Sequence, residues 1–328
     1  MKNIAIVCGG YSGEYVISVN SAKMVARNID PKRYHTFLIY ITRQDWYHET
    51  PEGEKYPVDK NDFSIMLPGK KIRFDGVFNA IHGTPGEDGK LQGYFDIMDI
   101  PYTSCNAATS ALTFNKYFCN RFVNSLGIPT AASVSYLKGE AVDKKMLIEQ
   151  LGFPMFVKPA ESGSSVGITR VIAESEIDNA IRFAFAESDR VVIEENLEGR
   201  EIACGVFMKG RELIVLPLTE IITQNEFFDY EAKYSEGLSD EITPAEVDED
   251  SEKSIKSVSS YLYHEMDCKG FVRFDYMLTG DGIYFMEVNT IPGITEASIV
   301  PKMVKAFGMS TEEFFTLAVD NLFLPDHY

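Results

Sequence analysis

The chain has 328 residues, 45% of them hydrophobic, which fits about two or three domains with sizeable cores. With 49 acidic against 31 basic residues the net charge is −18, which disfavours nucleic acid and anionic membranes as partners. A phosphate ligand on such a chain needs a local basic or backbone-amide site. No apolar run is long enough to span a bilayer, and the five scattered cysteines contain no CxxC pair, which argues against a zinc site or a disulfide framework.

The first run, Ile4-Ala5-Ile6-Val7-Cys8-Gly9-Gly10, is short and lacks the small-residue cleavage site of a signal peptide. It predicts a buried strand over 3–8 and a cytoplasmic location. A loop at Gly9–Gly13 follows, then a helix from Ser18 to Asn28 with Val19, Ala22, Val25 and Ala26 inward. Strands are predicted over 35–41 and 76–81. This alternation suggests a mostly parallel sheet with helices on both faces. Ligands of such sheets bind beyond the C-terminal strand ends, where Gly9–Gly13 and His82–Gly93 fall. The Gly9-Gly10-x-x-Gly13 segment is half of a dinucleotide fingerprint. The full GxGxxG pattern is missing, and no convincing ribose-binding acid follows the second strand, so NAD is not expected.

A boundary is expected near 100–104, followed by one helix over 106–126 that Gly127 and Pro129 stop. Strands are predicted over 153–159, 167–172, 191–194 and 201–208, with a helix over 174–186. A second boundary is expected near Arg190, giving domains 1–104, 105–190 and 191–328. Residues 219–250 are polar and acidic, yet Phe227-Phe228-Asp229-Tyr230 lies among them. The aromatics favour a lid, at about 219–247, over a disordered linker. A helix over 254–266 would turn Ile255, Val258, Leu262 and Met266 inward.

Four segments carry chemistry. Arg273–Leu278 and Ile283–Asn289 read as a hairpin. A three-residue loop Gly280-Asp281-Gly282, with Gly282 left-handed, sets Asp275 opposite Glu287 and Arg273 opposite Asn289, all on one face. Two carboxylates and an amide suit Mg²⁺; a solvated face on which Arg273 balances Asp275 fits as well. Val157-Lys158-Pro159-Ala160-Glu161-Ser162-Gly163-Ser164-Ser165-Val166-Gly167 offers amides, hydroxyls and a lysine to a phosphate, or is a flexible turn. His82-Gly83-Thr84-Pro85-Gly86-Glu87 opens a strand-end loop that faces Glu14. Either residue fits a ligand role or an ordinary structural one. Ile291-Pro292-Gly293 exposes amides that, with Arg273, would stabilise an oxyanion.

Together, the segment Gly9–Glu14, the HGxxGEDGxxQG stretch at 82–93, the VKPxxxGSSVG loop at 157–167, DYEAKY at 229–234, KGFVRFD at 269–275 and EVNTIPGIT at 287–295 resemble the D-alanine–D-alanine ligase family of the ATP-grasp superfamily. The likeness covers essentially the whole chain, with every motif in family order. It implies an α/β fold, α+β in its C-terminal part. The three-domain ATP-grasp architecture would have an N-terminal parallel-sheet domain and ATP between the central and C-terminal domains.

By the same resemblance, Lys116, Lys158 and Lys233 meet the ATP phosphates with Ser164 and Asn289. Glu194 and Leu197 lie at the adenine hinge, and Glu201 at the ribose. Asp275, Glu287 and Asn289 ligate two Mg²⁺ ions, or Mn²⁺. Arg273 and the Gly293 amide stabilise the transition state. Glu14 takes the first D-alanine's ammonium, His82 lies beside the reacting carboxylate, and Ser298, followed by Ile299, takes the second D-alanine's carboxylate. The implied reaction makes D-alanyl-D-alanine through an acyl phosphate for peptidoglycan precursors, in a homodimer.

Tyr234, in a network with Glu14 and Ser164, implies an amine nucleophile; phenylalanine there accompanies D-lactate use in the family. Val16 stands where the family often has an acid, and Ile299 where leucine is common. Other ATP-grasp ligases, of D-alanine–D-serine or D-alanine–D-lactate type, remain the alternative within enzymes. A nucleotide-binding regulator would need a broken metal site.

Overall fold

The computed structural model describes residues 1–163, 166–223 and 239–324. Three sheets follow one another along the chain. The first contains β1 (Lys2–Gly9), β2 (Tyr34–Ile41), β3 (Trp46–Glu49), β4 (Lys55–Asp59), β5 (Ser64–Leu67), β6 (Lys70–Arg73) and β7 (Gly76–Asn79), in spatial order β6-β5-β4-β3-β2-β1-β7. Only β2-β1-β7 is parallel, with α1 (Tyr15–Asn28) as the β1–β2 crossover. The remaining pairings are antiparallel. The sheet is therefore mixed rather than mostly parallel. The connections between β2 and β6 are too short for a crossover helix, and short connections join antiparallel strands.

Alternation along β1 divides two cores. Ile4, Ile6 and Cys8 face α1 and the C-terminal helices, while Ala5 and Val7 face Ile39, Phe63 and Phe95. The buried face of α1 is Ser18, Ser21, Ala22 and Val25, with Val19 only half-buried. Two serines thus lie on the inward face, where Val19 and Ala26, expected there, are only half-buried.

After β7 come α2 (Lys90–Ile97), α3 (Ala107–Phe114) and α4 (Lys116–Ser125). The single helix expected over 106–126 is broken at Asn115. Its backbone is extended (φ −92°, ψ 104°) and its side chain caps α4 by accepting from the Phe118 amide. An asparagine at a cap satisfies a donor that a continuous helix would have satisfied itself.

The second sheet, β10-β9-β11-β8, is wholly antiparallel. It comprises β8 (Ser133–Leu137), β9 (Met155–Pro159), β10 (Thr169–Val171) and β11 (Arg190–Glu195), packed on α5 (Lys144–Leu151) and α6 (Ile177–Ala184) through Leu147, Val157, Ile177 and Ile193. The boundary expected at 190/191 falls within β11, whose partners all lie in this sheet. The chain leaves it at 196–199 and enters the third sheet at Arg200.

The third sheet is β15-β14-β12-β16-β17, with β13 also on β12. Its strands are β12 (Arg200–Lys209), β13 (Glu212–Val215), β14 (Thr219–Thr223), β15 (Ser239–Ile242), β16 (Phe271–Thr279) and β17 (Gly282–Asn289). One face buries Ile255 and Leu262 of α7 (Glu249–Glu265) together with Cys119 and Val123 of α4. The other meets α8 (Ile299–Ala306), α9 (Thr311–Asp320) and the first sheet. The two ends of the expected lid are paired strands, β14 and β15; its middle lies outside the described residues.

Phe78 joins these layers: it is fully buried and packs near Phe271 of the third sheet and Phe315 of α9. Phe78→Ala is expected to destabilise the chain by about 3–5 kcal/mol, measured by urea unfolding. A loss below about 1 kcal/mol would mean that the sheets are held together elsewhere.

Candidate active site

The C-terminal ends of β1 and β7 are pinned by one hydroxyl. Ser18 Oγ accepts from the Gly9 amide (2.9 Å) and donates to the Ala80 carbonyl (2.8 Å). Glu14 precedes α1 and is buried, its amide donating to Ser12 Oγ (3.2 Å); that hydroxyl donates to the His82 carbonyl (3.1 Å). The Gly9–Glu14 segment and the His82 loop thus meet as expected. A Cβ on Gly163 would lie 2.3 Å from Glu14 Oε2, so the glycine- and serine-rich loop touches the same carboxylate.

His82 is buried, with Nδ1 3.0 Å from the Ile291 carbonyl and Nε2 3.0 Å from Ser21 Oγ. Burial lowers its pKa; the charge of Glu14 opposes that shift and the charge of Arg273 adds to it. Glu87, four residues after Gly83, accepts from the Gly83 amide (2.7 Å). Burial of its carboxyl group, with the nearby charges of Glu14 and Glu287, pushes its pKa up to about 8 against that hydrogen bond and Lys116.

The break at Asn115 seats the phosphate-loop candidate. The Lys116 amide donates to the Ala160 carbonyl (2.9 Å), Lys116 Nζ to the Ser162 carbonyl (3.0 Å), and Asn115 Nδ2 to Glu161 Oε1 (2.8 Å). Lys158 Nζ lies 2.6 Å from Glu194 Oε2, and Asn120 Nδ2 donates to Glu194 Oε1 (2.9 Å). Burial alone would lower the Lys158 pKa. Glu194, helped by Glu287 and Glu201, overrides burial and raises it. Leu197 lies in the 196–199 crossing between sheets. There a Cβ on Gly199 would come 2.4 Å from the Leu278 carbonyl, a close approach that glycine permits.

In the third sheet Asp275 opposes Glu287 and Arg273 opposes Asn289, the predicted register. The route to it differs. Thr279 pairs directly with Gly282, so the turn is the two residues Gly280-Asp281; Gly282 has the positive φ expected of it (135°) but stands in the strand rather than in the loop. A bulge between Asp275 and Tyr276 leaves Met286 out of the ladder and restores the register. Arg273 Nε and Nη2 bind both Asp275 oxygens (2.8 and 2.7 Å), and Asn289 Nδ2 donates to Asp275 Oδ2 (2.9 Å). Burial opposes the charge of Arg273, but Asp275, Glu287 and Glu201 overcome it and raise the guanidinium above its usual range.

The loop after β17 buries Ile291 and Ile294 and leads into α8. Ser298 Oγ accepts from the Thr295 amide (3.1 Å) and lies 2.8 Å from Thr295 Oγ1. A Cβ on Gly293 would lie 3.0 Å from that hydroxyl. Ile299 is buried in the core that α8 shares with the first sheet. Ser164, Lys233 and Tyr234 lie outside the described residues. Sequence reasoning missed Ser21, Glu87 and Asn120. Ser18 and Ser21 stand four and seven residues after Glu14, a helical spacing that marks them as one face.

Two family models match: "D-ala D-ala ligase N-terminus" over residues 3–105 and "D-ala D-ala ligase C-terminus" over residues 122–320. The chain belongs to the D-alanine–D-alanine ligase family. Among its relatives are the D-alanine--D-alanine ligases of Azobacteroides pseudotrichonymphae, 43% identical over 98% of this chain and 100% of that one, and of Parabacteroides distasonis, 44% identical over 98% and 97%. Among solved structures, the VanG D-Ala:D-Ser ligase from Enterococcus faecalis superposes with TM-score 0.86 at 35% identity, covering 98% of this chain and 99% of that one. The D-alanyl-alanine synthetase A of Vibrio cholerae gives 0.87 at 29%, covering 98% of each. The ATP complex of the D-alanine--D-alanine ligase from Bacillus anthracis gives 0.79 at 26%, covering 98% and 97%.

A ligase of this family depends on ATP, so a donor set that could hold a divalent metal matters. Among the described residues no group of three His, Cys, Asp or Glu side chains forms a metal cage. The third sheet instead offers two opposed carboxylates and an amide, all hard oxygen donors. That incomplete set fits Mg²⁺, which takes its other ligands from water and substrate phosphates.

Glu87 gives the site a pH signature. Its carboxyl keeps a proton that the unfolded chain releases near pH 4.5. Between about pH 4.5 and 8 the native state therefore binds more protons, and stability of the ligand-free chain falls as pH rises. Glu87→Gln is expected to flatten that fall, by up to about 1.4 kcal/mol per pH unit, in unfolding curves taken at pH 5 and pH 8. Equal pH dependence in both proteins would show that Glu87 ionises freely.

Proposed function

We propose that the chain joins two D-alanines into D-alanyl-D-alanine at the expense of ATP, for peptidoglycan precursors in the cytoplasm, as a homodimer. Family membership carries the reaction class. The buried, one-sided arrangement of Arg273, Asp275, Glu287 and Asn289 supports the site residues. It sits within electrostatic reach of Lys158 and His82 at the junction of the three sheets.

ATP lies between the second and third sheets, with Glu194 and Leu197 beside the base and Glu201 at the ribose. Lys116 and Lys158, joined by Lys233, Ser164 and Asn289, hold the phosphates. Asp275, Glu287 and Asn289 hold Mg²⁺, or Mn²⁺, which offsets phosphate charge when bound. The ammonium of the first D-alanine pairs with Glu14, and its carboxylate attacks the γ-phosphorus, releasing ADP and leaving an acyl phosphate. Ser298 orients the second D-alanine by its carboxylate. Its amine attacks the acyl carbon, and phosphate leaves. Arg273 and the Gly293 amide face the charge that develops at each step, where positioned donors act most strongly. Water would hydrolyse the acyl phosphate, which gives the 219–247 segment its role as a lid.

The test is phosphate release from ATP and Mg²⁺ with D-alanine, L-alanine, D-alanine plus D-lactate, or D-alanine plus D-serine, with chromatography of products. Phosphate release that requires D-alanine, with the D-alanyl-D-alanine dipeptide as product, is expected. A dominant mixed product with D-serine would move the chain to the D-alanine–D-serine type. Release only with another carboxylate–amine pair would overturn the reading.

Two variants sharpen it. Arg273→Lys keeps the charge but loses the planar fork, and is expected to lower kcat by about 10²–10³-fold with ATP affinity nearly unchanged. Tyr234→Phe is expected to raise use of D-lactate relative to D-alanine at neutral pH; an unchanged preference would refute the role given to Tyr234.

A further inference from the structure

The first helix presents a polar stripe to the protein interior, and its second serine has no part in the reaction as described. Ser21 is fully buried, and its hydroxyl lies 3.0 Å from His82 Nε2. The other ring nitrogen, Nδ1, lies 3.0 Å from the Ile291 carbonyl. A carbonyl only accepts, so in the neutral ring the proton sits on Nδ1 and Nε2 is left as the acceptor. The Ser21 hydroxyl, free to rotate, then donates to Nε2.

We infer that Ser21 is a positioning residue: the Ile291 carbonyl sets the Nδ1–H tautomer, Ser21 holds the ring in place by donating to His82 Nε2, and the Nδ1–H ties the loop carrying Gly293 and Ser298 to the first sheet. Glu14 stands at the start of the helix, seven residues and two turns before Ser21, and so toward the same side. The Ser21–His82–Ile291 chain therefore sets the separation between the end of the helix that holds the first amino acid and the loop that holds the second. With both ring nitrogens engaged by the protein, the role inferred for His82 is to hold that loop rather than to carry a proton. A bond between residues 209 positions apart in sequence is a constraint that neither sheet supplies alone.

The kinetic arm of this inference rests on the proposed ligase reaction; the spectroscopic arm does not. The full chain, ¹⁵N-labelled at histidine, has five histidines, and His82 is assigned by extending the backbone assignment through its ring. At pH 7 without ligand, a protonated Nδ1 and an acceptor-type Nε2 are expected. In Ser21→Ala the Nε2 resonance shifts, the KM for D-alanine rises about tenfold, as for one buried hydrogen bond lost, and the pH profile of kcat keeps its shape. A thermal melt close to that of the parent shows that the variant is folded.

A wild-type ring protonated on Nε2, or on both nitrogens, would overturn the inference without any variant. So would a Ser21→Ala protein with the parent's KM, or one whose kcat profile moves with pH, which would make His82 a proton carrier. If the parent released no phosphate with D-alanine, the ligase reading would fail, and the tautomer would still decide this one.

Discussion

Carboxylates crowd the junction of the three sheets, and the site depends on how their charge is offset. Glu14, Glu87, Glu194, Glu201, Asp275 and Glu287 act on one another or on the same few cations, Lys116, Lys158 and Arg273. A buried charge costs several kcal/mol unless it is paired and hydrogen-bonded. The structure meets that cost in three ways. Asp275, 2% exposed, takes a two-point bond from Arg273 and a third from Asn289. Glu194 takes one from Lys158 and one from Asn120. For Glu87, burial and the neighbouring carboxylates push the pKa up to about 8, which favours the neutral form.

Such a cluster is electrostatically poised for cations. An ammonium or a divalent metal ion would supply the positive charge that these groups hold in short supply. The overall charge of −18 fits the same logic. So acidic a chain gives a phosphate little long-range attraction; under the proposed function the attraction comes from Lys116, held at the Ser162 carbonyl, and Lys158, held at Glu194. In the proposed reaction, local binding of this kind makes the positions of Lys116 and Lys158 matter more than their number.

Much of this was legible in the sequence because it depends on local periodicity. Strand alternation puts Arg273 with Asp275, and Glu287 with Asn289, on one face of each strand; register, set by the turn and the bulge together, brings those two faces to the same side. The turn itself was misread: glycine on both sides of Asp281 favours several loop lengths, and a bulge at Met286 absorbs a one-residue difference with no sequence mark of its own. The antiparallel half of the first sheet was missed because β3, β5 and β6 have only four residues each, too few for a clear pattern. The break at Asn115 leaves apolar periodicity nearly intact, and only the capping side chain and the loop beneath it end the helix. Glu87, an acid in a glycine-rich loop, reads as solvent-facing until the fold closes over it.

The serines of α1 show why polar residues on a buried helical face carry more information than apolar ones. Val25 and Ala22 would pack against many neighbours of similar size. Ser18 fits only where one donor and one acceptor stand at hydrogen-bond distance, here the Gly9 amide and the Ala80 carbonyl. Those two bonds lock the ends of β1 and β7, from which the Glu14 and His82 loops spring. Ser21, one turn further on, meets His82 itself. A buried hydroxyl without its partner costs about 1–3 kcal/mol, so each serine specifies one geometry where an apolar side chain would tolerate several. The helix fixes the two loops to each other through these hydroxyls, and through His82 it fixes them to the third sheet.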